Sequence, residues 1–207
     1  MTNQDERVWT AILRHALYAQ PVTLESLAAA TGLTPGDVAT ALVALHETGA
    51  IYLRDRAVIA AYPFSLVPTR HGVAIAGATA YANCAVDALA VPPMVDEPAR
   101  VSSTCGHCGA PVAVTMRGDR ILETQPQAPV IFYLDTDCCA PGPAVLTRCP
   151  HIQFFCDRVH AGRWQEAHPE HRGTVLDVAD AAAFASQHFS AAVRAVRQFR
   201  SRAHPPG

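Results

Sequence analysis

Cys84 and Cys149 stand far apart in the chain, each in an apolar segment where a thiol has little structural excuse. The first lies in Tyr81-Ala-Asn-Cys84-Ala-Val-Asp87-Ala-Leu89, the second in Thr147-Arg-Cys149-Pro-His151-Ile-Gln-Phe-Phe155. Two thiolates are the ligand set that a soft metal such as Hg(II), Cu(I) or Zn(II) prefers. Asp87 follows Cys84 at helical spacing, so it is expected on the same helix face and within reach to move a proton. Free cysteine packs readily in cores, which is the plain reading of Cys84 alone. A carboxylate beside it in an apolar helix is costly unless it has a partner or a task. Cys149 lies between Arg148 and His151, both able to favour thiolate. Two soft ligands and one acid suffice to break a metal–carbon bond.

Cys105-Gly-His-Cys108-Gly is the loudest short motif and stays open to three readings. It is half of a zinc knuckle that lacks a second ligand pair. It also matches a redox dithiol, although Pro111 and a strand pattern follow where that motif needs a helix. The third reading is a turn with partly buried cysteines. Cys138-Cys139 is the candidate second pair for a structural zinc, or for a relay of metal ions, but adjacent cysteines space poorly for a knuckle. Cys156 is expected to alternate out of a sheet without a role. His160, His168 and His171, around Trp164, are expected on a solvated surface.

Several elements must position these groups. Residues from about Val8 to Ala19 read as an amphipathic helix. A short helix from Leu24 to Thr31 follows, with Thr23 as its cap, and Thr34-Pro35 opens another that runs to about Thr48. The stretch from Ile51 to Ala60 reads as a hairpin turning near Asp55. Three helices and a hairpin predict a winged-helix-like module over residues 1–62. Its second-helix candidate, from Gly36 to Glu47, has no Arg and two acids, so a scaffold role is expected rather than nucleic-acid binding.

Residues 63–207 are expected to form the second, catalytic domain. A strand from Gly72 to Ala80 should precede the helix of Cys84 and Asp87. Strand patterns cover Ala99–Ser103, Val112–Met116, Ile121–Glu123, Val130–Leu134 and Ile152–Phe155. One terminal helix is expected from Val178 to about Arg200. The predicted class is therefore α+β: a three-helix module, then a mixed β-sheet core flanked by helices.

The bulk numbers agree. The chain has 207 residues, half of them hydrophobic and 16% charged, which is globular rather than disordered. Its formal net charge of −2, with Arg and no Lys as the strong bases, argues against a broad nucleic-acid footprint. The polar N-terminus lacks the layout of a signal peptide, and no apolar run approaches a membrane span, so a cytoplasmic setting without membrane partners is expected. Seven cysteines in a reducing compartment point to metal or redox chemistry rather than a disulfide framework.

Ordered blocks along most of the chain resemble the alkylmercury (organomercurial) lyase family. They are the helical N-terminal module, Pro-Thr-Arg-His71, and Tyr81-Ala-x-Cys84-Ala-x-Asp87-x-Leu89. Ala99-Arg-Val-Ser-Ser103, a cysteine before Gly109-Ala-Pro-Val112, and Cys149-x-His151-x-x-Phe-Phe155 complete the set. The resemblance implies that Cys84, Asp87 and Cys149 cleave a carbon–mercury bond by protonolysis, without a cofactor. Hg(II) would be left on Cys84 and Cys149. Low-molecular-weight thiols or a mercuric-ion acceptor protein are the implied partners, and Cys105 is implied to be structural. Cys108, Cys138 and Cys139 are additions to the pattern, and Pro150 replaces a frequent cysteine. A non-catalytic soft-metal binding protein, or a metal-responsive regulator, is the alternative on the same fold.

Overall fold

The computed structural model describes residues 1–203; residues 204–207, the end of the expected second domain, lie outside the described part. Helix α1 (Asn3–Leu17) starts earlier than the apolar stripe suggests because Thr2 caps it. The Thr2 side chain accepts from the Asp5 N–H, and Asp5 accepts in return from the Thr2 N–H. Helix α2 (Leu24–Thr31) has the expected Thr23 cap, and Gly32 ends it in the left-handed conformation with φ 67°. Helix α3 (Pro35–Glu47) is capped by Thr34. Strands β1 (Ile51–Arg54) and β2 (Ala57–Ala61) follow as a hairpin whose two turn residues, Asp55 and Arg56, both have positive φ. Three helices and a hairpin thus open the chain.

Strand β3 (Phe64–Ser65) pairs with β2 on one side and with β5 (Ala78–Ala82) on the other, so the sheet runs on past residue 62. The single strand expected from Gly72 to Ala80 is instead two. Strand β4 (Gly72–Ile75) turns back through Ala76 and Gly77, both at positive φ, into β5. Helix α4 (Ala85–Ala90) and a 3-10 turn at Pro92–Met94 lead to β6 (Ala99–Thr104), β7 (Pro111–Arg117) and β8 (Arg120–Gln125). The resulting eight-stranded sheet has the order β1-β2-β3-β5-β4-β6-β7-β8, antiparallel throughout.

Strand β9 (Val130–Leu134) centres a second sheet. Helix α5 (Ala144–Thr147) and a 3-10 turn at Cys149–His151 lead into β10 (Gln153–Phe155). Helix α6 (Arg158–Ala167) precedes β11 (Gly173–Asp177), and the antiparallel order is β10-β9-β11. The last strand carries no clean alternation, since its flanks are half-exposed, and the sequence pattern passed over it.

The single terminal helix expected from Val178 is two helices, α7 (Val178–His188) and α8 (Ser190–Ala203). Phe189 breaks them apart with non-helical backbone. The break lets α7 pack on α4 while α8 packs on α1 and the Pro92–Met94 turn. One continuous hydrophobic core runs from Val8 to Val196 and takes in Cys84, Cys105 and Cys149. No single described helix is long and apolar enough to cross a membrane.

Candidate active site

Cys84 is not on the helix, as its spacing to Asp87 suggested, but caps it. Its backbone is extended, and its Sγ accepts the Asp87 N–H at 3.4 Å in the manner of a serine cap. The cap puts the thiol and the carboxylate at the same helix end. Both are buried, Cys84 2% and Asp87 4% exposed.

Cys149 reaches the same place from the other sheet. The Ala85 N–H, in the first turn of α4, donates to the Ile152 carbonyl at 3.1 Å. That bond fastens the 3-10 turn of Cys149 against the helix end. The Cys149 Sγ then lies 3.9 Å from Asp87 Oδ2, donating toward it. The donor atoms of Cys84, Asp87 and Cys149 all lie within 4.8 Å of one another.

Burial governs the protonation of this trio. It pushes the Asp87 carboxyl up to about 7, against the pull of Asn83, Cys84 and Cys149 hydrogen bonds and of the Arg148 charge. It also raises the Cys84 thiol well above its ordinary value, reinforced by its hydrogen bond with Cys149 and by the Asp87 charge. At neutral pH the carboxyl is thus balanced between giving and taking a proton.

The trio opens into a cavity of about 310 Å³, walled also by Tyr62, Tyr133, Ile152 and Phe184. Arg148, on its rim, donates through Nε and Nη2 to the Leu134 carbonyl at 3.2 and 3.0 Å and lies over the Tyr133 ring. Tyr62 accepts the Val145 N–H at 2.9 Å and stays a neutral hydroxyl, its pKa pushed to about 12 by burial. Neither the Tyr62 wall nor the Arg148 anchor carries a sequence signal, because both depend on contacts between distant segments. His71 is buried and kept neutral, its pKa lowered to about 3 by burial and by Arg70, and it shares a 3.0 Å hydrogen bond with Ser103.

The remaining cysteines part company. Cys138 and Cys139 do not join Cys105 and Cys108. Their thiols donate to the Asp135 carbonyl, in a loop on the Arg148 and Cys149 side of the molecule, so the expected second pair for the motif is displaced. The side chains that do meet Cys105 and Cys108 are Cys156 and His160, to which the sequence assigned no role; the four donor atoms lie within 4.8 Å of one another. Cys156 turns toward the motif because β10 ends there, and His160 stands in the first turn of α6, its N–H bonded to the Asp157 cap. Burial raises the Cys105 thiol, but N–H donation from Cys108, Cys156 and His107 and a bond with His160 bring it down to about 6.

Fold and cavity together define a protein that presents two buried thiols and a carboxyl to a small cavity. Alkylmercury lyase (MerB) matches residues 64–190, and the chain belongs to the alkylmercury lyase family of enzymes. An alkylmercury lyase of Streptomyces lividans is 33% identical over 174 residues, spanning 84% of this chain and 78% of that one. One from Staphylococcus epidermidis is 29% identical over 176 residues, spanning 85% and 78%. The fold is also that of a mercury-bound form of MerB2, with a TM-score of 0.75 at 23% identity over 96% of this chain and 92% of that one.

Proposed function

We propose that this chain cleaves carbon–mercury bonds by protonolysis, with Cys84, Asp87 and Cys149 as the catalytic residues. The observation that carries the reading is the convergence of the two thiols and the carboxyl within 4.8 Å at a cavity. The substrate is an organomercurial R–Hg–X, with X a thiolate from a small-molecule thiol.

Cys84 first exchanges with X, forming a sulfur–mercury bond and releasing X with the thiol proton. Cys149 then gives its proton to Asp87 and binds the same mercury. The second thiolate adds electron density at the metal and weakens the carbon–mercury bond. Asp87 delivers its proton to the carbon as that bond breaks, and the bonding pair becomes the new C–H bond. The products are R–H, HX and Hg(II) held by two thiolates, with Asp87 again ionised; no electrons are gained or lost. A low-molecular-weight thiol, or an acceptor protein for mercuric ion, then removes the metal.

A headspace assay for methane from methylmercury in excess thiol tests the reading. Methane from the wild-type chain and none from Cys84→Ser is the expected result. Full activity in that variant would sink the assignment.

A further inference from the structure

We infer that Cys105, Cys108, Cys156 and His160 form a structural zinc site, separate from the Cys84–Asp87–Cys149 group. The spacing consists of two half-sites, Cys105-x-x-Cys108 and Cys156-x-x-x-His160, in the pattern of a closed tetrahedral zinc centre. The geometry agrees. Cys108 and Cys156 Sγ atoms are 3.8 Å apart, and Cys105 Sγ is 3.5 Å from His160 Nδ1. Tetrahedral zinc with ordinary Zn–S and Zn–N bonds has edges of about 3.8 Å between sulfurs and about 3.5–3.6 Å between sulfur and nitrogen. A sulfur pair at 3.8 Å is far outside disulfide bonding, and all seven cysteines are free thiols.

The backbone holds the motif as a turn suited to two ligands. Gly109, at φ 73°, donates to the Cys105 carbonyl at 2.9 Å, and Cys105 donates to the Ala110 carbonyl at 2.8 Å. Four protein ligands leave no open position, which marks a structural rather than a catalytic centre. Three thiolates and one imidazole suit zinc, whereas a hard cation would want oxygens.

The placement says what the metal is for. Gly106 donates to the Phe154 carbonyl at 2.9 Å, so the motif already leans on β10. That strand runs from just beyond the Cys149 turn to just before Cys156. Zinc on Cys156 would pin one end of the segment whose other end presents Cys149 to Asp87.

Metal analysis of the full chain, purified without chelator from zinc-supplied cells, tests the site. About one zinc per chain is expected, falling to less than about a tenth in Cys108→Ser and in His160→Gln. Cys149→Ser and Cys138→Ser should keep the zinc, which separates this group from the buried dithiol and from the Cys138–Cys139 loop. Cobalt added to chelator-treated protein should give the visible bands of a tetrahedral thiolate complex in the wild type and in Cys149→Ser, and none in Cys108→Ser. A wild-type chain that holds no zinc and takes none up would overturn the inference. So would iron in zinc's place, zinc lost equally in Cys149→Ser, or a Cys108–Cys156 disulfide in the purified protein.

Discussion

The Ala85 N–H donates to the Ile152 carbonyl at 3.1 Å, and this one bond joins the start of α4 to the turn that carries Cys149. It links segments that sequence keeps far apart, and its acceptor belongs to the residue between the Cys149 turn and β10. Gln153 reinforces the turn by donating to the Pro150 carbonyl at 2.9 Å while accepting from Arg70 at 3.1 Å. The separation between Cys149 and Asp87 therefore depends on backbone geometry rather than on the flexibility of a side chain.

Asp87→Asn keeps the shape of the side chain and removes its proton chemistry. Hydrocarbon release from methylmercury should fall by about 10²–10⁴-fold, the usual worth of a positioned acid. Circular dichroism should show the fold unchanged. An Asn variant with wild-type turnover would exclude Asp87 as the proton carrier.

The same substitution should change stability with pH. Asp87 sits at about 7 in the folded chain against an ordinary 3.8, so folding favours its protonated form. Its contribution is fully present below the ordinary carboxylate value and is lost as pH rises through about 7. Asp87→Asn should therefore match the wild type in acid and exceed it above neutrality, on the order of a few kcal/mol. Urea midpoints measured across that range check it.

Arg148→Met removes two hydrogen bonds to the Leu134 carbonyl and a positive charge that lowers the Asp87 pKa. The acid-to-base transition assigned to Asp87 in a pH–rate profile should move upward. Stability should drop by about 1–3 kcal/mol through the unpaired carbonyl. An unmoved profile would show that Arg148 serves only as a structural clamp.

Gly173→Ala tests the sheet that carries β9 and β10. A Cβ there would overlap the Tyr133 carbonyl oxygen and the Phe132 ring, which have little room to yield in the buried strand. A loss of about 1–3 kcal/mol in chemical denaturation is expected, as for other overpacked sites.

Much of the local structure was legible in the chain because its causes are local. Thr23 and Thr34 mark their helix starts, and the turn near Asp55 is where the hairpin reverses. Strand β9 was legible as an unbroken apolar run, Val130–Leu134. The pairing of Cys84 with Asp87 was legible too, although the three-residue spacing proved to be a cap and its third helical residue rather than one helix face. The break at Phe189 and the fold-back at Gly77 were not, since each answers to what the flanking segments pack against.

By itself, then, the sequence determined the helix caps, most strands and the Cys84–Asp87 element. Only the tertiary structure decided which cysteines meet. Pairing of β10 with β9, under the buried rings of Phe154 and Phe155, sends Cys149 toward Asp87 and Cys156 toward Cys105 and Cys108. Cys138 and Cys139, nearer to Cys149 in sequence than Asp87 is, are left beside the Asp135 carbonyl. Spacings such as Cys105-x-x-Cys108 and Cys156-x-x-x-His160 name half-sites without saying which of them meet; burial of the strand between Cys149 and Cys156 makes that choice.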